Sequence, residues 1–324
     1  MNYPRLNGLI AAPFVAFHSD GSLNLDRIEA QAHSLIKNGV TGAFVCGTTG
    51  EGASLSVAER MLVAKRWCEV AGANLRVIVH VGHTALPECK ALAQHAQQIG
   101  AQGVGCYAPF FFKPANQEDL VAFCAEVASS APALPFYYYQ IPSMTGVQLP
   151  AAEFLRLGQE RIPNLAGVKF TFENLMDFAE CVRMQDGRFD VVFGRDEILL
   201  AGLSLGAKGA IGSTYNFASP IYHRIIEAFE RGDLEGARAH QARANAMIAI
   251  FVKFGGLPAG KAMMRFIGLD CGSVRLPLRS PSDLREQELR SELEGAGFFD
   301  FCSVVSKVPV LCQTAHTFQR NLGS

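Results

Sequence analysis

A lysine set inside an apolar run is the first residue that invites chemistry. The stretch AGVKFTF places Lys169 among valine and phenylalanine. An ammonium group is costly to desolvate there, so it either sits at the end of a strand or is neutralised for use. An amine whose pKa is lowered by burial is partly neutral near pH 7 and can attack a ketone carbon to form a Schiff base. The alternative is a rim lysine whose stem is buried and whose head reaches water. Of the nine lysines, only Lys169 falls inside a predicted strand.

Four other stretches carry polar groups after β-rich runs. Gly47-Thr48-Thr49-Gly50-Glu51 puts two hydroxyls and free backbone N–H groups on a tight glycine turn. Such a turn suits a carboxylate or phosphate, although Gly and Thr also make ordinary turns. In Tyr137-Tyr138-Tyr139, period-2 alternation sends Tyr137 and Tyr139 to one face and Tyr138 to the other. Tyr137 and Tyr138 read as core aromatics, whereas Tyr139, nearest the strand end, is placed to exchange a proton with a reacting oxygen. Gly194-Arg195-Asp196-Glu197 and Gly212-Ser213-Thr214-Tyr215-Asn216 offer carboxylates and hydroxyls for an acid/base pair, a polyol clamp or, least of all, a metal; helix capping is the structural alternative for the two acids. His80 and His83 lie three apart on a predicted strand, which points the rings to opposite faces and argues against shared ligation.

The elements that position these groups alternate. β-rich runs at 8–17, 43–47, 76–82, 103–109, 135–142, 167–170, 189–194 and 209–213 are separated by amphipathic helical stretches, several closing on glycine. Eight such units without a GxGxxG fingerprint predict an α/β fold, a (β/α)8 TIM barrel, over an open doubly wound sheet. Active-site groups of such barrels sit at the C-terminal ends of strands, where all the stretches above fall. After residue 217 the pattern is helical. The expected organisation is a barrel over 5–217, a helical extension over 218–299 and a tail over 300–324, mobile or loosely docked.

Composition excludes several roles. The 324 residues are 49% apolar and 18% charged, with a formal net charge of -1, which leaves no basic footprint for nucleic acid. Nine cysteines without a C-x-x-C pair argue against a disulfide framework or zinc knuckle and for reduced thiols in a cytoplasmic protein. No apolar run reaches the ~18 residues of a membrane span, and the N-terminus reads as a strand rather than a signal peptide.

Together, GTTGEG, FYYYQIPSMTGV, GVKF, GRDE and IGSTYN resemble the N-acetylneuraminate lyase branch of the dihydrodipicolinate synthase/pyruvate aldolase family, over roughly residues 5–299. The resemblance implies a class I aldolase that cleaves N-acetylneuraminate, a sialic acid, to N-acetylmannosamine and pyruvate, with no metal or organic cofactor, as a homotetramer. It implies that Lys169 forms the Schiff base, that Tyr139 is the phenol beside the reacting centre and that Thr48 and Thr49 hold the pyruvate carboxylate. It places the polyhydroxy tail on Gly194, Asp196, Glu197 and Ser213. Met144 stands where the synthase branch carries an arginine, which counts against the synthase reaction. Phe111 and Phe112 occupy the loop where many members carry a proton-relaying tyrosine, and a phenylalanine cannot donate a proton. A pyruvate aldolase for another 2-keto-3-deoxy sugar acid, and a sugar-acid binding protein that has lost catalysis, are the alternatives.

Overall fold

The computed structural model describes residues 3–305. Eight short parallel strands close into a barrel in sequence order, β8 returning to pair with β1. They are β1 (Gly8–Ala11), β2 (Gly42–Val45), β3 (Arg76–His80), β4 (Gly103–Tyr107), β5 (Phe136–Gln140), β6 (Leu165–Phe170), β7 (Asp190–Phe193) and β8 (Gly209–Gly212). Around and beyond them run α1 (Arg27–Lys37), α2 (Val57–Ala71), α3 (Leu86–Gln98), α4 (Gln117–Ala128), the single turn α5 (Pro142–Thr145), α6 (Ala151–Arg161), α7 (Leu175–Arg183), α8 (Leu199–Ser204), α9 (Tyr215–Glu230), α10 (Leu234–Lys253), α11 (Leu257–Phe266) and α12 (Asp283–Gly295). This is the (β/α)8 barrel predicted from the alternation, and the chain passes from β8 directly into α9.

Each of the eight predicted runs overlaps one strand; seven strands are shorter than read, and β6 is longer, starting two residues before the predicted run. The first differs most: β1 stops at Ala11, because Pro13 has no N–H to continue the ladder. Ala12 still donates to the Gly212 carbonyl at 2.8 Å, and Phe17 forms an isolated antiparallel bridge with Leu23. Alternation along each strand divides the core in two. Ile10, Phe44, Ile78, Tyr137, Val192 and Ile211 fill the barrel interior, while Leu9, Val45, Tyr138 and Val168 face the helices. Tyr138 stacks on Phe154 of α6 at 4.4 Å, so the two-and-one division of the tyrosines holds.

The N-terminal end of the barrel is shut by a polar latch. Buried Asp190 accepts the Leu6 N–H at 2.8 Å and the Tyr137 hydroxyl at 2.9 Å through the same oxygen. Helix starts follow local chemistry: α2 opens on a capping box in which Ser56 and Glu59 satisfy each other's N–H groups. Among the described residues no single helix is long and apolar enough to cross a membrane. Only α10 and α11 together reach that composition, bent by 117°, and their Met247, Met263 and Met264 are buried in the core. Ser303 and Val304 dock through hydrogen bonds of 2.8 Å to the Phe217 carbonyl and the Asn38 side chain. The remainder of the predicted tail, 306–324, lies outside the described residues.

Candidate active site

Parallel register builds the centre of the site. Lys169 on β6 pairs directly with Tyr139 on β5, and both side chains point into the barrel near its C-terminal end. The Lys169 side chain is carried inside because Val168 and Phe170 on either side face the helices. Lys169 is 4% exposed, and its Nζ lies 3.9 Å from the Tyr139 ring centroid and 4.0 Å from that of Phe44. Burial pulls the amine down to about 7, against the upward pull of Asp196. The rim alternative, with the head in water, is thereby set aside.

A cavity of about 270 Å³ opens above the amine, and its walls include Thr48, Thr49, Tyr139, Lys169, Gly194, Asp196, Glu197 and Ser213. The eight residues singled out in the sequence therefore converge on one space. The Tyr139 hydroxyl is 3.3 Å from Thr48 Oγ1. Burial pushes the phenol up to about 12, while the hydroxyls of Thr48 and Thr171 pull it back. Its proton is consequently in place at neutral pH, and the group can accept a proton only while giving its own away.

The turn after β2 is rigid. Glu51 N–H and Gly52 N–H close it onto the carbonyls of Thr48 and Gly47, both at 3.1 Å. A Cβ on Gly52 would meet the Cys46 carbonyl oxygen at 2.0 Å, so the backbone itself requires glycine there.

Asp196 and Glu197 differ in how free they are. Asp196 is buried, and its Oδ2 accepts from the Thr214 hydroxyl at 2.6 Å and the Thr214 N–H at 3.1 Å. Tyr222 lies 2.7 Å from the same Thr214 hydroxyl oxygen and completes a chain of hydroxyls behind the carboxylate. Desolvation raises Asp196 to about 6, opposed first by its bonds to Thr214. Oδ1 is buried without a well-formed hydrogen bond among the described residues, with the Tyr215 hydroxyl beside the carboxylate. Capping of its own helix turn by Asp196 is not what the structure shows. Glu197 is more open and pairs with Arg195 at 3.1 Å, and Arg195 also pairs with Glu173.

Sequence reasoning missed five residues that line the cavity. Thr171, whose buried hydroxyl lines the cavity, follows Lys169 by two residues and so shares its face; the alternation that selected Tyr139 would have found it. Thr214 was seen only as part of a strand end. Ile248, Phe251 and Val252 of α10 reach the cavity mouth from the helical extension, with no local signal that they do. His80 is buried inside the barrel, its ring 4.3 Å from Tyr107 and 5.7 Å from Tyr139, and its pKa is pushed well below the ordinary value by burial and by Arg60 and Lys169. His83 lies beyond the strand and accepts the Ala85 N–H at 3.0 Å. Among the described residues no group of His, Cys, Asp or Glu is arranged to hold a metal ion. A hollow of about 360 Å³ on the outer surface is walled by Arg156, Gln159, Glu180, Arg183, Met184 and Gln185, none of them a residue singled out in the sequence.

Fold and cavity together define the class: a (β/α)8-barrel enzyme with its polar groups gathered at the C-terminal mouth around a desolvated amine. The chain belongs to the dihydrodipicolinate synthetase family, whose model matches residues 5–296. It is 42% identical over 308 residues to the N-acetylneuraminate lyase of Homo sapiens, covering 93% of this chain and 96% of that one. It is 44% identical over 280 residues to the N-acetylneuraminate lyase of Xenopus tropicalis, covering 85% and 92%. The solved Proteus mirabilis N-acetylneuraminate lyase superposes with a TM-score of 0.89 at 40% identity, covering 91% of this chain and all of that one.

Proposed function

We propose that this protein is a class I aldolase that reversibly cleaves N-acetylneuraminate to N-acetylmannosamine and pyruvate. The observation that carries the reading is the Lys169 amine: 4% exposed, drawn down to about 7, and set under Tyr139 within the cavity. In this scheme the neutral amine attacks C2 of the open-chain substrate, and loss of the C2 oxygen as water, with uptake of one proton from solvent, gives a protonated imine. The C3–C4 bond then breaks, its electron pair flows into the imine, and the C4 hydroxyl loses its proton as the aldehyde forms. Tyr139 accepts that proton as it gives its own to Thr48 Oγ1, 3.3 Å away, whose hydroxyl proton passes on to water in the cavity, and the later proton to C3 returns by the same route. The enamine is protonated at C3, and water releases pyruvate and the free amine. The imine is the electron sink, so the scheme invokes no metal or organic cofactor.

Thr48 and Thr49 are assigned to the keto-acid carboxylate, and Gly194, Asp196, Glu197 and Ser213 to the hydroxyls of the sugar. Two carboxylates at the distal end accept hydrogen bonds from a polyol and disfavour a second substrate carboxylate. The free, mostly buried thiols among the described cysteines suit a reducing cytoplasm. A homotetramer is the assembly we assign, supported by Phe111 and Phe112, which stand 75% and 85% exposed beside the barrel mouth and need a covering surface.

The test is borohydride trapping with pyruvate, followed by intact mass and peptide mapping. A pyruvate-derived adduct on Lys169, and loss of turnover in a folded Lys169→Ala variant, are expected; lyase activity surviving in that variant would sink the assignment. Comparing kcat/KM for N-acetylneuraminate and 2-keto-3-deoxygluconate decides the sugar, with the former expected to be preferred.

A further inference from the structure

The turn that carries Thr48 and Thr49 is gripped from behind by a buried ion pair that takes no part in the scheme above. Glu51 ends the turn in the left-handed region, at φ 50°, which is unusual for a residue with a Cβ. Its carboxylate lies 2.7 Å from the Nζ of Lys261 on α11, and both side chains are 2% exposed. Lys261 Nζ also donates to the Ser273 carbonyl at 2.6 Å, and Glu51 Oε2 accepts the Arg275 N–H at 3.0 Å. The Arg275 guanidinium in turn holds Glu59 of α2 at 2.5 and 2.8 Å and the Ser54 carbonyl at 3.1 Å. Both cations lie over the Phe17 ring, 4.4 Å from its centroid.

Two charges taken this far from water are a poor way to gain stability, since well-packed apolar groups of the same volume do as well or better. What such a pair does supply is a fixed geometry, because each partner tolerates few positions of the other once desolvated. Neither Glu51 nor Lys261 lines the cavity, yet Glu51 is two residues from Thr49 on a turn whose backbone is already closed by hydrogen bonds. Any rotation of Glu51 is transmitted to the hydroxyls.

We infer that Lys261 and Glu51 are positioning residues for the keto-acid carboxylate: the helical extension, through this pair, sets the orientation of Thr48 and Thr49. The inference rests on the assignment of those hydroxyls to the carboxylate.

The test compares two ketones on the full-length chain. Pyruvate carries a carboxylate and hydroxyacetone does not, and both are trapped on Lys169 with borohydride. The main variant is the neutral double substitution Glu51→Gln/Lys261→Met, which leaves no unpaired buried charge. Its half-saturating pyruvate concentration is expected to rise about ten-fold, as misplacement of a positioning group by a fraction of an ångström does, while hydroxyacetone labelling stays at the wild-type level. Lys261→Arg, which keeps the charge but not the shape, is expected to fold and to raise the pyruvate value by a smaller factor, and it carries the test if the double variant does not fold. Wild-type half-saturation by pyruvate in a folded variant, or equal losses with both ketones, overturns the inference and leaves the aldolase reading standing. If the wild-type protein forms no pyruvate adduct, both fall together.

Discussion

Lys169 is the residue on which the proposed chemistry turns, and its surroundings fix the sign of a pH effect. The amine reacts only when neutral, so adduct formation with pyruvate is expected to rise with pH through about 7, the value to which burial lowers Lys169, and to level off above it. Asp196 pulls that value upward by favouring the charged form. Asp196→Asn is therefore expected to move the rising limb to lower pH, which single-turnover trapping across pH 5 to 9, a range of about two pH units on either side of 7, would read. A limb that stays put would mean the two groups are not electrostatically linked. Lys169 and Tyr139 were legible in the sequence because alternation gives the face and the strand end gives the depth. The tie of Asp196 to Thr214 was not, since it joins the ends of two different strands at a distance no local pattern encodes.

At the scale of elements, the site depends on strand ends that approach too closely for an ordinary side chain. Gly194, just past β7, is the sharpest case: a Cβ there would lie 2.0 Å from Thr171 Oγ1 and 3.0 Å from the Phe170 carbonyl oxygen. Gly194→Ala is expected to push Thr171 away from Tyr139 and to lower kcat about ten-fold. Circular dichroism and steady-state kinetics on the same preparation check it, and unchanged kcat would show that Thr171 is idle. Eight strands, their order and the helical character of the chain after residue 217 could be read from periodicity, because each strand is a short apolar run bounded by turn residues. The place where β1 ends could not be read as well, for the apolar residues from Ala12 to Phe17 look like a strand but contain a proline that stops the ladder. Nor could the grip of α11 on the turn after β2, where Lys261 reads locally as one more polar position on a helix.

At the scale of the whole molecule, barrel and extension form one working unit. Ile248, Phe251 and Val252 of α10 stand at the mouth of the cavity and Lys261 of α11 stands behind it, so a barrel cut free of its later helices would lack both wall and support. Phe111 and Phe112 lie outside this unit; they are adjacent in sequence, among the most exposed of the described apolar residues, and the ones assigned to the proposed subunit contact. If the proposed homotetramer uses this contact, Phe111→Ser/Phe112→Ser is expected to shift the sedimentation coefficient toward smaller species, with the folded barrel retained; an unchanged coefficient would remove these two residues from the contact, and a wild-type coefficient of a monomer would overturn the assembly itself. The latch of Leu6, Tyr137 and Asp190 has a consequence for traffic. Among the described residues the far end is tied by Asp190 and the interior is filled, which leaves the C-terminal mouth as the way out; in the proposed scheme the three-carbon fragment is held by Lys169 on β6, while Asp196 and Glu197, assigned to the sugar, lie past the end of β7. Under that scheme cleavage leaves two products in single file: the sugar aldehyde goes out first, and the keto acid, still tethered to Lys169, goes out last.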